Sequence, residues 1–378
     1  MQDSFTKQKT LQLKGVAILL MLAHHLYTFS DRIYIGHYIN SGINIYGIDL
    51  AVVIGSFGKI CVSLFMFLGG YGLYKSFQKN NFLDKIINLY KKYWKNFLIF
   101  IPLGFIFFSN QNIYTKNIGI STRFNELSFK TLISDFFVLS SNMNGEWWFL
   151  KNYFFGLFIG YIFIHIMRKN NNVYKEALVI IVWYILTNGV FGYIGNLTKI
   201  NNFLFNGVFI DNGYTIMLLV GILFSKYMIF DKISYIFNKY SSLEKCILSL
   251  IAIFSIVYIR VFYFDISRDI ILTPLFIFFT YNLFDKFNII NSALEFLGKN
   301  STNMWLNHSF FCYYYGFFAK VIYYTNNVII SFVTLLLLSL GSALLTDFMW
   351  DFIGKIYIKF KDLISGLNIK RITEKDSN

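Results

Sequence analysis

The sequence predicts an all-α, polytopic membrane protein with about ten transmembrane helices and both termini in the cytoplasm. Three observations carry that expectation. The 378 residues are 56% hydrophobic and 21% aromatic, with a mean hydropathy of +0.52 and only two prolines. Charged residues make up 14% of the chain, against about 25% in an ordinary soluble protein. Apolar windows of about 20 residues, the length that crosses a bilayer as a helix, recur along the whole chain. A membrane barrel would instead alternate apolar and polar residues over strands of about ten positions.

Taken in order, the windows lie near 13–29, 54–74, 93–109, 147–167, 176–194, 212–230, 243–262, 269–285, 302–322 and 328–349. The first opens on Lys14 and carries the adjacent His24 and His25, and is read as a retained helix: no small-residue cleavage site follows it. The second ends in Gly69, Gly70 and Gly72, which permit close approach of a neighbouring helix or a ligand chain. The third follows a basic stretch from Lys75 to Lys95, and the fourth opens on Asn144-Gly145-Glu146-Trp147-Trp148. The ninth opens on Ser301-Thr302-Asn303-Met304-Trp305-Leu306-Asn307-His308-Ser309. Cys61, Cys246 and Cys312 fall inside apolar windows and form neither a disulfide framework nor a CxxC metal pattern. The domains expected are one membrane domain over 1–350 and a basic cytoplasmic tail over 351–378, lying on the inner membrane surface. No inverted repeat of the transporter kind is evident.

Charge orients the windows. With the amino terminus inside, about 24 of the 34 Lys and Arg fall on the inner side, as the positive-inside rule requires. The net charge of +14 is therefore a mark of topology, and no nucleic-acid partner is expected.

Ionisable groups inside apolar windows are costly and seldom without purpose. Lys14 and His25 are eleven positions apart, about three helical turns, so they share one face about 16 Å apart along the axis. His24 points about 100° away. This places a cation at the inner mouth and a proton-transfer group toward the bilayer middle, and helical rise gives His308 a similar depth. The bland alternative makes Lys14 an interfacial anchor and the histidines inter-helix glue. Lys85, Lys91, Lys92 and Lys95 are either the ordinary basic inner loop or a clamp for the phosphates of a cofactor, although no Walker loop is present. Glu146 and Trp147 are either part of an aromatic belt or a sugar-binding pair at the outer mouth. No metal is expected, because no carboxylate or Cys stands at ligand spacing from the three histidines. His37 and His165 are expected to be structural or interfacial.

The motifs LKGVAILLMLAHHL, ICVSLFMFLGGYGLYKS, LYKKYWKNF, GEWWFLKNYF and STNMWLNHSFF, in this order, resemble the acyltransferase 3 family of integral membrane acyltransferases. The family's first helix carries a basic residue, usually arginine, then ten intervening positions and a histidine; here these map onto Lys14 and His25. Lysine loses arginine's planar, bidentate grip on phosphate or carboxylate. The resemblance implies an O-acetyltransferase of a bacterial cell envelope, in the inner (plasma) membrane, moving acetyl from acetyl-CoA to a hydroxyl of a cell-surface or lipid-linked polysaccharide. Its partners would then be acyl-CoA, a glycan or lipid-linked glycan acceptor, and membrane lipids. In that scheme His25 is base or acyl relay, His24 its helper and His308 completes the centre. Lys14 and the Lys85–Lys95 stretch hold the donor, while Glu146 and Trp147 meet the glycan. The rival of another class is a transporter or flippase of lipid-linked sugar, with the histidines as a proton relay. A glycan polymerase would need larger outer loops, and a non-catalytic envelope protein has no use for a buried histidine pair.

Overall fold

The computed structural model describes residues 5–29, 39–77, 81–109, 114–115, 119–120, 124–169, 171–190, 213–263, 269–284 and 287–375. Almost all of these are helical. In order they are α1 (Lys7–Tyr27), a hairpin of β1 (Asn44–Ile45) and β2 (Ile48–Asp49), α2 (Leu50–Gly58), α3 (Ile60–Phe77) and α4 (Phe82–Phe107). A second hairpin, β3 (Tyr114–Thr115) and β4 (Gly119–Ile120), precedes α5 (Phe129–Phe136), a single tight turn at Gly145–Trp147, α6 (Trp148–Met167) and α7 (Val173–Tyr184). A wide helical turn, Ile185–Val190, continues α7. Then come α8 (Gly213–Lys226), α9 (Ile229–Phe237), α10 (Ser242–Phe262), α11 (Asp269–Phe284) and α12 (Asn288–Ser309). A second wide turn, Phe310–Tyr314, leads to α13 (Gly316–Tyr323) and α14 (Val328–Lys375).

Among the described residues, four stretches are long and apolar enough to cross a membrane: Leu50–Phe77, Gly145–Met167, Ser242–Phe262 and Val328–Lys359. Tyr214–Lys226 and Asp269–Phe284 are shorter apolar helices. Large apolar side chains are exposed along the outer faces of α10 (Ile251, Phe254) and α14 (Ile329, Leu337, Leu345, Phe348). In water such a surface would be a severe penalty; in hydrocarbon it is the expected exterior.

Helix α1 stands at the centre, against α2, α3, α11, α12 and α14. Thr6 caps its start by accepting from Lys9 N–H. Two crossings set the bundle, each by mutual glycine contact. A Cβ added at Gly15 would lie 2.1 Å from Leu294 O, and one at Gly298 would lie 1.9 Å from Leu11 O, so α1 and α12 meet backbone to backbone. Gly70 against Leu218 O (1.9 Å) and Gly221 against Phe67 O (2.1 Å) repeat the device between α3 and α8.

Several boundaries differ from expectation. The second window is two helices, broken at Lys59, whose N–H turns back to Phe57 O. The carbonyls at this break also accept from Arg260, which donates from Nη1 to Ser56 O (3.0 Å) and Phe57 O (3.3 Å). Arg260 is itself clamped by Asp269 (Nε–Oδ1 2.9 Å, Nη2–Oδ2 3.2 Å), and Ser63 donates to the same carboxylate at 2.7 Å. A buried pair so fully bonded orders the α10–α11 hairpin against the break. The lysines from 85 to 95 lie within α4 rather than in a loop, because the helix begins at Phe82. The ninth window breaks at Tyr315 after the wide turn. The tenth runs without interruption through residue 350 into the basic tail, so residues 351–375 continue α14. Part of the fifth window, the loop residues Asp31, Arg32 and His37, and parts of the 110–145 stretch lie outside the described residues.

Candidate active site

His24 and His25 occupy the last turn of α1, which ends at Tyr27, so the pair sits at the far end of this helix rather than midway along it. Their side chains diverge as helical geometry demands. His24 turns to α2, where its Nδ1 lies 2.9 Å from Gly55 O and 3.1 Å from Thr28 Oγ1. A carbonyl only accepts, so His24 carries its proton on Nδ1. Gly55 O is available because α2 breaks four residues later, where the Lys59 N–H goes to Phe57 O.

His25 faces the other way, into a cluster built by three separate elements. Its Nδ1 lies 3.3 Å from the Tyr313 hydroxyl, which itself donates to His25 O. With its proton committed, that hydroxyl can only accept from Nδ1, which places the lone pair of neutral His25 on Nε2. Nε2 lies 3.7 Å from Glu146 Oε2, longer than a hydrogen bond and close enough to stabilise charge on the ring. The His308 ring is 4.8 Å from that of His25, centre to centre, and the His24 ring is 5.2 Å away.

Residues on both sides hold Glu146 and His308 rigidly. Asn144 accepts from Glu146 N–H (3.0 Å), and its amide pairs with the Ser309 hydroxyl (2.7 Å). Gly145 N–H donates to the Tyr314 hydroxyl at 3.0 Å. At the start of the wide turn the Phe310 N–H leaves Leu306 O, and the Trp147 indole takes that carbonyl at 2.9 Å. Widened turns of this kind recur at functional sites, where they redirect side chains and free backbone acceptors. His308 Nδ1 donates to Trp305 O at 2.7 Å, which fixes the tautomer and leaves Nε2 as an acceptor. That nitrogen is buried and has no hydrogen-bond partner among the described residues.

Glu146 therefore lies inside the histidine cluster, not apart from it at an outer mouth. Trp147 is 2% exposed and packed against Tyr93, Phe97 and Phe310, so its indole is a strut between α6 and α12 rather than an open stacking platform. The side chains missed in the sequence are Tyr313 and Tyr314, hidden in the aromatic run FFCYYYGFF, while Asn144 stood in its motif with no role assigned to it.

The lysines gather at the other end of α1. Lys14 acts electrostatically on Lys85 and is acted on by Lys92, which in turn feels Lys95 and Asp347. Lys85 Nζ donates to Gly72 O at 2.7 Å, and burial with the charge of Lys14 pushes its ammonium down to about 8. Lys91 is exposed and lies off this group. Between lysines and histidines runs a set of buried amides. Asn96 donates to Lys92 O (2.9 Å) and Asn303 Oδ1 (3.2 Å), and Asn307 follows one turn along α12. Asn96 Oδ1, Asn303 Nδ2 and both polar atoms of Asn307 are buried without hydrogen-bond partners among the described residues. His165 lies elsewhere, among Phe77 and Tyr161.

A cation group, a line of buried amides and an imidazole–carboxylate centre are parts that acyl transfer from a charged carrier could use. No curated protein and no solved structure matches the chain. A family model described as an acyltransferase domain (Acyl_transf_3) matches residues 12–347, nearly the whole length. The chain belongs to the acyltransferase 3 family.

Proposed function

We propose that this membrane acyltransferase carries an acetyl group from acetyl-CoA to a hydroxyl of a cell-surface or lipid-linked polysaccharide. The observation that carries the reading is His25, with Glu146 and His308 against it and Lys14 about three turns away on the same helix. The lysines would hold the phosphates of the donor. The orphaned amides of Asn96, Asn303 and Asn307 suit an arm with amides of its own, as coenzyme A has, reaching from lysine level to histidine level.

In the reaction, the acceptor oxygen attacks the thioester carbon and its proton passes to Nε2 of His25. Glu146 stabilises the imidazolium so formed, and Tyr313 keeps the ring from turning. Collapse of the tetrahedral intermediate breaks the C–S bond, and the thiolate recovers the proton from His25. His308, with its acceptor nitrogen buried and unpartnered among the described residues, would orient the hydroxyl. His24 acts through position, anchored on Gly55.

The test is acetyl incorporation into envelope glycan in cells bearing His25→Ala at normal protein level. Loss of a general base predicts a fall of about 10²-fold or more. Undiminished acetylation removes His25 from the mechanism. Proton-coupled translocation of an unmodified glycan would favour the flippase instead.

A further inference from the structure

A second site shares no lining residue with the histidine cluster. A cavity of about 550 Å³, within the range of ligand pockets, is lined by Tyr74, Phe163, Met167, Arg168, Glu176 and Lys226 among others. It sits where the ends of α3, α6 and α8 meet the start of α7.

Its polar floor is incompletely bonded. Glu176 is fully buried; its Oε1 receives Lys226 Nζ, which also donates to Met167 O at 2.9 Å. Glu176 Oε2 has no hydrogen-bond partner among the described residues. The Tyr227 hydroxyl stands beside the Glu176 carboxylate as a donor from the protein itself, out of good hydrogen-bonding geometry among the described residues. A buried carboxylate oxygen without a well-placed donor is costly, so Oε2 is open to an N–H or O–H from a ligand in the cavity as well as to the Tyr227 hydroxyl. Arg168, exposed at the end of α6, brings a guanidinium to the rim.

The flanks say which phase supplies that ligand. Ile162 and Ile166 on α6, and Leu178, Ile181 and Val182 on α7, are all exposed. These are hydrocarbon-facing surfaces on the helices that frame the cavity. A ligand entering here has an ammonium for Glu176 Oε2, a phosphate for Arg168, and apolar chains that stay outside along α6 and α7. We propose that the cavity binds the headgroup of phosphatidylethanolamine. The choline headgroup has no N–H to give Glu176, and the glycerol headgroup offers only neutral hydroxyls, weaker donors to a carboxylate than an ammonium. Basic pockets between helices at a membrane face hold lipid headgroups by the same logic.

The purified full-length protein, delipidated in detergent, is offered an equimolar mixture of phosphatidylethanolamine, phosphatidylcholine and phosphatidylglycerol with identical chains. Native mass spectrometry reads the adducts. One phosphatidylethanolamine is expected, retained about tenfold over phosphatidylcholine, the difference one charged hydrogen bond makes. Arg168→Ala, at an exposed position, and Met167→Trp, which fills the space, should each lower retention about tenfold while the protein stays monodisperse. Equal retention of the three lipids, no adduct at all, or an adduct unchanged in Met167→Trp overturns the proposal. So does displacement of the lipid by soluble phosphoethanolamine or by coenzyme A. Neither variant touches the histidine centre, so the outcome is independent of the acyl-transfer reading.

Discussion

Glu146 brings a carboxylate to 3.7 Å from His25 Nε2, and its backbone is fixed by Asn144 and Tyr314 through neighbouring groups. Glutamine at this position keeps the size and removes the charge that favours the imidazolium. Glu146→Gln should lower acyl transfer by about 10²-fold at unchanged protein level, measured as acetyl incorporation with saturating donor. A change within twofold would leave Glu146 a packing residue only. Lys85 offers a prediction in pH. Its ammonium titrates near 8, lowered by burial and by Lys14, so it is a cation below that pH and neutral above it. If it holds a donor phosphate, the KM for acetyl-CoA rises as pH climbs from 7 to 9. Lys85→Arg stays charged through that range and should flatten the rise. A profile identical in both proteins would separate Lys85 from the donor.

At the scale of elements, the position of His25 relative to His308 depends on the α1–α12 crossing. A methyl at Gly298 would overlap Leu11 O at 1.9 Å and force the helices apart. Gly298→Ala should cost about 1–3 kcal/mol, lower the thermal midpoint and reduce activity together. Gly72→Ala is the control within the same bundle, since nothing lies within 4 Å of the added carbon. Equal midpoints for the two variants would show that the crossing tolerates expansion. The histidines of this region stood out in the sequence because imidazoles in apolar windows are conspicuous. The existence of the helices was readable for the same reason, from the length of those windows. The contact between residue 25 and residue 146 was not, because nothing local records which helix ends meet. Tyr313 was hidden by its aromatic neighbours, and the break at Lys59 by the continuous apolar run LAVVIGSFGKICVSLFMF. That break is held by Arg260 and Asp269, residues about 200 positions away, and it releases the carbonyl that anchors His24.

For the whole molecule, the distribution of charge makes a claim about sidedness that packing alone does not. Lysine and arginine concentrate beside the ends of α3, α6 and α8, and at the start of α1, which the positive-inside rule assigns to the cytoplasm. A donor arriving from the cytoplasm would then meet Lys14, Lys85 and Lys92 first, and the histidines would lie toward the opposite face. With Cys61, Cys246 and Cys312 replaced, single cysteines at exposed positions report each side. Lys7→Cys, Lys169→Cys, Lys239→Cys and Asn288→Cys should react with a membrane-impermeant maleimide only after permeabilisation. Asn44→Cys, in the first hairpin, and Thr325→Cys, between α13 and α14, should react in intact cells. This alternation is what ten crossings with both termini inside require. Labelling of Lys239→Cys from outside would invert the protein, and labelling of Lys7→Cys alone would make the number of crossings odd. Inversion would set the lysines facing the envelope, where no acyl-CoA is made, and would end the donor assignment with the topology.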